Sequence, residues 1–422
     1  MRTNRHNSAF FFTLSFAGCL PLAASAGGFR LPDQDAFATA RGEAFVATAD
    51  NASAVFYNPA GIAQLEGQDI RGGIYGIDIN TTFHSPAPPA GNGGSFDSQK
   101  NLHAVPQLFY TFSPTNLPVA FGLGIYSPYG LSSEWPDNTG FRTVGTQASL
   151  TYLTINPAVA FKLLPNFSIG GGITANYADA DLQQGLSPIP PYNNSFELKG
   201  NGWAVGYNLG LLWKPVEQIS FGASFHSATK VNLTGQTTTT YTGVLPAPSY
   251  NPASAEFPFP MNAVIGVSYR PTPKWNLEFD ADYTDWSTLG TVTIQQSMPN
   301  VLSPSIPQNV PVTFNWQPSW YYELGATRYF DNGWHLSAGY IFNESAVPDA
   351  NYNPVVADMD RHFISIGTGF KGQHFNFDIA YQFGYGLART VSGSAQSAAR
   401  QTADGRYDFI SNAVLLTLGW HF

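Results

Sequence analysis

Residues 375–386 have the sequence FNFDIAYQFGYG, in which an aromatic or aliphatic side chain occupies every second position as far as Tyr385. Successive side chains on a β-strand point to opposite faces of a sheet, so this stretch predicts a strand with one apolar face and one polar or small face. Residues 275–284, WNLEFDADYT, repeat the pattern. A strand of a soluble β-sandwich alternates in the same way, so the number and spacing of the strands have to decide the fold.

The alternation recurs fourteen times, at about 70–84, 106–113, 118–128, 149–164, 167–183, 200–214, 218–236, 255–270, 275–296, 316–330, 334–347, 361–371, 375–390 and 406–422. Short turns at 116, 165–166, 215–216, 271–273, 331–333 and 372–373 alternate with long polar loops near 85–105, 129–148, 184–199, 237–254, 297–315, 348–360 and 391–405. An even strand number with short turns on one rim and long loops on the other is typical of outer-membrane barrels. We therefore predict an all-β protein, a fourteen-stranded antiparallel transmembrane β-barrel over residues 70–422 with a small N-terminal helical hatch.

The bulk composition agrees with a barrel and excludes other classes. Charged residues make up only 11% of the chain and aromatic residues 15%, yet the mean hydropathy is −0.11. Beyond the N-terminal segment no run of about eighteen apolar residues occurs, which excludes a helical membrane protein. A barrel fits because the hydropathy of its apolar, lipid-facing side chains and that of its polar, lumen-facing side chains average to a value near zero. The net charge of −9 gives no basic patch, so we expect no nucleic-acid partner.

The N-terminus predicts export from the cytoplasm. Arg2 and Arg5 precede an apolar stretch and the small residues 24–26, which indicates a signal peptide over residues 1–26. In an alternative interpretation, residues 16–19 form a lipoprotein box that would lipidate Cys19. Cys19 is the only cysteine, so ordinary processing would leave neither a disulfide nor a cysteine-ligated metal.

The C-terminal strand predicts insertion into the outer membrane. Leu416, Leu418, Trp420 and Phe422 alternate on one face of the last strand, and a final strand that ends in Phe is the usual signal for outer-membrane assembly. We therefore predict a multi-pass barrel in the outer membrane of a Gram-negative cell.

Residues 27–69 do not alternate and are rich in Ala and small polar residues. Asn58 precedes Pro59 as an N-cap precedes the first helical position, which predicts a short helix to about Leu65. Fourteen strands enclose a lumen too wide for side chains alone to fill, so we expect this segment to plug the barrel. A periplasmic tail is the alternative.

Several short motifs, in order, resemble the FadL family of outer-membrane transporters for long-chain fatty acids and hydrocarbons. They are Gly27-Gly28-Phe29, Asn58-Pro59-Ala60, Tyr129-Gly130-Leu131 with Glu134, Gly200-Asn201-Gly202-Trp203, Tyr283-Thr284-Asp285-Trp286-Ser287, Ser345-Ala346-Val347-Pro348 and Asp358-Met359-Asp360-Arg361. The resemblance implies passive uptake of a hydrophobic small molecule by a barrel without cofactors. We further expect contact with outer-membrane lipids and detergent-like molecules, and a monomer.

The resemblance also implies which residues form the sites. Gly28 and Phe29 of the N-terminal tail would lie in the ligand pocket, and the hatch motif would be Asn58, Pro59, Ala60 and Gly61. A kink at Ser127, Pro128, Tyr129 and Gly130 would open a lateral gate in the third strand. Pro128 gives an independent reason for a gap, because proline cannot donate a ladder hydrogen bond. Alternatively, Pro128 only ends the strand where the loop begins.

One departure from the family concerns the ligand's charge. Fatty-acid members of the family carry basic residues near the segment that contains Asp179 and Asp181 in this chain. A carboxylate ligand would lose a charge-assisted partner there, which favours an uncharged or aromatic hydrocarbon. The remaining candidate partners of a carboxylate are Lys199, Lys230, Arg328 and Arg361.

A row of carboxylates, Glu278, Asp280 and Asp282, lies on the polar face of one strand. It predicts either a cation-selective lumen or, preferably, ion pairs with Arg or Lys on adjacent strands, because unpaired buried carboxylates are costly.

Two other classes of protein are possible, a general porin and an outer-membrane lipase. A porin needs an open lumen, which the hatch would block. The chain has no Gly-x-Ser-x-Gly elbow, and its histidines are scattered without metal-ligand spacing. We expect neither catalysis nor a metal site.

Overall fold

The computed structural model describes residues 28–88, 91, 93–99, 101–241, 248–299 and 306–422. The predicted signal peptide, Cys19 and Gly27 lie outside the described residues.

The described residues form short helices near the N-terminus, followed by strands. The helices are α1 Ala36–Ala40 and α2 Ala54–Tyr57, and the 3₁₀ helices are Pro59–Gln64, Trp286–Thr288, Asp349–Asn351 and Pro354–Val356. The strands are β1 Gly67–His84, β2 Ser95–Asp97, β3 Leu102–Ser113, β4 Val119–Tyr126, β5 Gly130–Glu134, β6 Gln147–Leu164, β7 Phe167–Gly185, β8 Ser195–Val216, β9 Ile219–His226, β10 Thr229–Thr240, β11 Ser249–Phe259, β12 Asn262–Thr272, β13 Trp275–Thr284, β14 Thr291–Gln296, β15 Asn309–Thr313, β16 Ser319–Tyr329, β17 Trp334–Asn343, β18 Arg361–Lys371, β19 Phe375–Val391 and β20 Gly405–His421. None of the described helices is long and apolar enough to cross a membrane.

A closed antiparallel ladder joins fourteen of these strands, which confirms the predicted barrel. The circuit runs β1, β3, β4, β6, β7, β8, β9, β12, β13, β16, β17, β18, β19 and β20. It closes where β1 pairs with β20 from Asp69–His421 to His84–Arg406. Closure leaves the wall without a free edge, as a transmembrane sheet requires.

The outer face of the wall is apolar. On β8 the exposed side chains are Trp203, Val205, Tyr207, Leu209, Leu211 and Trp213, whereas Asn208 and Leu212 between them are buried. The alternation therefore separates a lipid-facing row from a lumen-facing row, as it does in transmembrane barrels.

The predicted long loops are less irregular than the sequence suggested. Strands β2, β5 and β15 lie within segments predicted as loops, and β10 and β11 extend into such segments. The single strand predicted at 275–296 is two strands, β13 and β14. All of these additional strands pair with one another or with the barrel strands. Two of the predicted turns also begin later, because β8 continues to Val216 and β12 to Thr272. The wall thus rises well above the membrane-spanning band on the long-loop rim.

Residues 28–66, which we call the hatch, lie inside the barrel and end where β1 begins. Helix α1 packs against β17 to β20, and the 3₁₀ helix Pro59–Gln64 packs against β6, β7 and β8. Except at the C-terminal end, nearly all hatch residues are buried. The plug is therefore in contact with both sides of the lumen.

The wall topology predicts which connections face outward from the cell. A peptide tag inserted after Asn193, between β7 and β8, should bind antibody on intact cells, because long connections are extracellular in this barrel class. A tag between Pro273 and Lys274 should bind only after permeabilisation. Labelling of the second tag on intact cells would reverse the orientation.

Candidate ligand pocket, hatch anchors and wall gap

The carboxylate row on β13 anchors the hatch to the wall. Glu278 Oε1 accepts hydrogen bonds from the backbone N–H groups of Ala47 at 2.7 Å and Thr48 at 3.1 Å. Its other oxygen, Oε2, accepts from Arg41 at 3.0 Å, and both side chains of this ion pair are fully buried. A buried ion pair is tolerated only when further hydrogen bonds satisfy its charges, and the hatch backbone supplies two of them.

The next two carboxylates also bind hatch groups. Asp280 Oδ2 accepts from the N–H groups of Phe45 and Val46, each at 2.8 Å. Asp282 Oδ2 lies 2.5 Å from Arg30, and Arg30 also donates to Thr284. Pairing with Arg is thus confirmed for Glu278 and Asp282 but not for Asp280, and the prediction that the partners lie on adjacent strands is wrong. The arginines come from the hatch, and the row offers no free charges along an open lumen.

Glycines on the inner wall allow the hatch to approach closely. A Cβ atom at Gly339 would lie 2.0 Å from Gly42 N, and one at Gly222 would lie 2.1 Å from Val46 O. At Gly170 it would lie 2.6 Å from Ala60 N. Any larger residue at these wall positions would push the hatch backbone away.

The hatch motif predicted from the sequence forms a capped turn. Asn58 Oδ1 accepts from Ala60 N at 3.2 Å, and Pro59 takes the first helical position, as predicted, although the helix is 3₁₀ rather than α. Asn58 Nδ2 donates to Val46 O at 2.7 Å and to Leu211 O on the wall at 2.9 Å. Gly61 has to be glycine because a Cβ there would lie 2.4 Å from Ala49 O. The motif therefore fixes the end of the hatch to β8.

Two carboxyl groups within the hatch itself, those of Glu43 and Asp33, lie close to each other. Tyr57 donates to Glu43 Oε2 at 2.6 Å, and Glu43 is a non-glycine residue with a φ of +60°. Burial, together with the nearby Asp33 carboxyl, raises the pKa of Glu43 well above its usual range. A protonated Glu43 would avoid a second buried negative charge beside Asp33.

The wall ladder is interrupted in the third barrel strand, at residues 127–129. Pairing of β4 with β3 stops at Ile125, while β3 continues to pair with β1 as far as Leu102. On the other side β6 pairs with both β4 and β5, with five residues from Tyr126 to Gly130 set against four from Thr154 to Thr151. Pro128 therefore lies at a bulge between two strand segments rather than at the end of the strand.

The hatch satisfies the backbone groups that the kink leaves unpaired. Leu31 N donates to Pro128 O, and Gly130 N donates to Phe29 O, each at 2.8 Å. The side chain of Gln34 binds both backbone groups of Ser127. Its Nε2 donates to Ser127 O at 3.0 Å, and its Oε1 accepts from Ser127 N at 3.3 Å. The N-terminal tail, residues 28–31, thus acts as a short extra strand against the kink.

The ring of Phe29 closes an aromatic cluster above the hatch. Trp286 meets it edge-to-face with centroids 4.7 Å apart, and its other neighbours at 5.6–6.1 Å are Trp316, Phe257, Phe259 and Tyr129. Gly28 has a φ of +66°, and a Cβ there would lie 2.6 Å from the Trp286 ring. The tail is therefore packed as tightly as a core segment.

A cavity of about 120 Å³ adjoins this cluster on the long-loop side. Its lining is aliphatic and aromatic, with amides and a serine but no charged side chain among the described residues; the apolar members include Phe29, Leu131, Leu150, Phe196, Leu198, Phe257, Ile294 and Val355. An apolar cavity with a few polar groups has the usual make-up of a small-molecule site.

The four candidate cations do not line this cavity. Lys199 forms ion pairs with Glu197 and Asp181, and Lys230 pairs with Glu256 on the exposed wall. Arg328 lies over the ring of Trp275. Arg361 is buried, but it stacks on Phe409 at 4.1 Å and donates to Ala357 O.

Sequence reasoning missed Arg30 and Arg41, which lie about 240 residues from their partners. No group of three or more potential metal ligands occurs among the described residues.

The anchoring role of Glu278 is testable. Glu278→Gln removes the charge opposite Arg41, and loss of one partner of a buried ion pair costs about 3–5 kcal/mol. We expect a less stable hatch and larger single-channel conductance in planar bilayers. Glu256→Gln, at a residue with a 65% exposed side chain, is the matched control and should change neither property. Parental conductance and thermal stability in Glu278→Gln would contradict the role.

Comparisons with known proteins agree with this architecture. A family model described as "Outer membrane protein transport protein (OMPP1/FadL/TodX)" matches residues 18–422. The long-chain fatty acid transport protein of Escherichia coli is 24% identical over 378 residues, which cover 80% of this chain and 82% of that protein. The 47 kDa outer membrane protein of Pasteurella multocida is 25% identical over 381 residues, covering 83% and 85%.

Solved structures share the fold. A Pseudomonas aeruginosa FadL homologue superposes with a TM-score of 0.81 at 20% identity, covering 94% of this chain and 100% of that one. The Ralstonia pickettii toluene transporter TbuX gives a TM-score of 0.71 at 15% identity, covering 94% and 99%. Because the family model matches nearly the whole chain, which confirms the resemblance seen in the sequence, the protein belongs to the OMPP1/FadL/TodX family of outer membrane transport proteins.

Proposed function

We propose that this barrel takes up small hydrophobic molecules, long-chain fatty acids or hydrocarbons, by passive diffusion. The ligand enters from the long-loop side, occupies the apolar cavity beside Phe29 and leaves sideways into the membrane through the wall gap at Ser127–Gly130. The relatives give a precedent for both ligand classes, since one is named for fatty acid transport and another for toluene transport.

The observation that carries this proposal is the pairing of the tail with the kink. Phe29 belongs to the aromatic cluster and accepts the backbone hydrogen bond of Gly130, and two residues later Leu31 donates to Pro128. A ligand that displaces the Phe29 ring would disturb the hydrogen bonds that seal the gap. Occupancy of the cavity and opening of the wall would therefore be coupled through one short segment.

The charge of the lining favours an uncharged ligand. A carboxylate in the cavity would be buried without a cationic partner among the described lining residues, and burial of an unpaired charge is strongly unfavourable. Arg30, the cation beneath Phe29, is already paired with Asp282. An alkane or aromatic hydrocarbon meets no such penalty, so we infer that hydrocarbons bind better than fatty acids.

A sideways exit also agrees with the energetics of a greasy ligand. Each CH₂ group gains roughly 0.8 kcal/mol by staying out of water, so release of a long chain into the aqueous periplasm is strongly resisted. A gap that opens into lipid avoids this cost. A general porin would need an open aqueous lumen, and the buried hatch with its paired carboxylates argues against that class.

Phe29 should contribute directly to ligand affinity. Phe29→Ala should weaken binding of a labelled hydrocarbon roughly two- to tenfold, because an edge-to-face aromatic contact is worth about 0.5–1.5 kcal/mol beyond area burial. The measurement is equilibrium binding to the barrel in nanodiscs. Phe375→Ala, on the lipid-facing wall, is the control. Equal affinities of the parent, Phe29→Ala and Phe375→Ala for the hydrocarbon would exclude Phe29 from the binding site.

The exit can be blocked without removing the cavity. Gly130→Arg places a long side chain at the gap, so we expect loss of labelled alkane uptake by whole cells, with ligand still bound from outside. Gly290→Arg is the matched control, because open space surrounds Gly290 on the long-loop side. Barrel assembly is checked by heat-modifiable gel mobility. Normal uptake by a well-assembled Gly130→Arg barrel would rule out exit here and point to passage through the hatch.

A further inference from the structure

Four inward-facing cations surround a chamber below the hatch, on the short-turn rim. Lys162, Lys214, Arg270 and Lys371 come from β6, β8, β12 and β18, and all of them line one cavity of about 510 Å³. The short-turn rim is the periplasmic rim in this class of barrel. The chamber therefore opens to the periplasm, and the C-terminal end of the hatch closes its inner side.

Part of this positive charge lacks a partner. Arg270 lies 3.4 Å from Asp50, and Lys214 donates to Gln64 of the hatch. Asp69 lies 3.8 Å from His421. Among the described residues, neither Lys162 nor Lys371 forms a salt bridge, although both line the chamber. The lining also contains the carboxylates of Asp50, Glu66 and Asp69. The ammonium groups of Lys162 and Lys371 are nonetheless without a salt bridge among the described residues and can pair with an anion from solution.

A recess with both aromatic and charged lining residues opens from the same chamber. It has a volume of about 270 Å³ and shares Asp50, Asp69, Lys371 and Asn376 with the chamber. Its walls include the aromatic rings of Phe37, Tyr329, Phe330, Trp334 and Phe370. The recess therefore lies beside the ring of cations and extends up to helix α1.

The charged groups inside the recess are already satisfied by one another. Arg71 donates to Asp35, to Asp378 at 2.6 Å and to Asn376 at 2.8 Å. His335 lies 2.7 Å from the other oxygen of Asp378. Lys371, at the border with the chamber, is the cation of the recess lining that these pairs leave available, so a negative headgroup belongs at that border and an alkyl chain deeper in the recess.

We propose that this vestibule, chamber and recess together, is a second binding site that takes a single-chain amphiphile with an anionic headgroup from the periplasmic side. The headgroup lies beside Lys371, with Lys162 on the facing side of the chamber, and the chain packs against Phe37 and Tyr329. This site differs in chemistry from the cavity beside Phe29, which has no charged lining among the described residues. It does not depend on lateral exit, because the hatch separates the two.

Photolabelling tests the proposal. The probe is a twelve-carbon carboxylic acid with a terminal diazirine, added to the whole barrel in nanodiscs, and labels are mapped by mass spectrometry of tryptic peptides. We expect saturable labelling at Phe37 in peptide 31–41, which is buried from lipid. The double variant Lys162→Gln/Lys371→Gln should lower this labelling about tenfold, the scale set by lost hydrogen bonds to a charged group.

Matched controls separate this site from other sources of label. Lys274→Gln removes an exposed lysine of the same rim that pairs with Asp331 outside the vestibule, and it should label like the parent. The corresponding alcohol probe should label parent and double variant equally. Competition by unlabelled dodecanoate or by a lysophosphatidate identifies a carboxylate or a phosphate headgroup, and competition by either one supports the site.

Two results would overturn the proposal. One is equal labelling of Phe37 in the parent and the double variant, with both assembled by gel mobility. The other is label confined to residues 144–150, a segment that lines the cavity beside Phe29; that result would leave hydrocarbon uptake intact as a proposal while removing the periplasmic site. Conversely, failure of the Gly130→Arg uptake test would not affect the labelling at Phe37.

Discussion

A bilayer offers no water to backbone N–H and C=O groups, and the rest of this structure depends on that constraint. The closed ladder from β1 to β20 satisfies it almost everywhere. At residues 127–129 the wall fails to do so, and the hatch supplies the missing partners through Phe29, Leu31 and the side chain of Gln34. The break in the wall and the tail within the lumen are therefore two halves of one hydrogen-bonded arrangement.

The hatch can serve the wall in this way only if it is held firmly. Three carboxylates on β13 bind two arginines and four backbone N–H groups of the hatch. Each carboxylate thus binds the hatch through at least one oxygen, and a buried polar network of this kind favours one arrangement of the hatch. The pair of Arg30 with Asp282 lies directly beneath Phe29. The segment proposed to move with the ligand is thus tied to the wall by this buried ion pair.

The charge distribution differs between the two ends of the lumen. The cavity beside Phe29 has no charged lining residue among those described, whereas the chamber at the opposite rim has four cations. In the proposed uptake path an uncharged molecule is selected before it reaches any charge. The proposed vestibule instead binds molecules that carry a negative charge. One barrel would therefore treat neutral and anionic amphiphiles at separate sites.

The sequence by itself determined the number of wall strands, the outward apolar row and the cap at Asn58, because these follow from the alternation of neighbouring side chains or from contacts two residues apart. It did not predict the short strands within the long loops, since brief polar segments such as β5, GLSSE, resemble loops in composition. Only the tertiary structure paired Arg30 with Asp282, joined Phe29 to Gly130, gave Gly339 its close contact with the hatch and gathered four cations around one chamber. Those contacts join residues about 100 to 300 positions apart, and a local pattern carries no record of which distant residue the closed barrel will bring opposite.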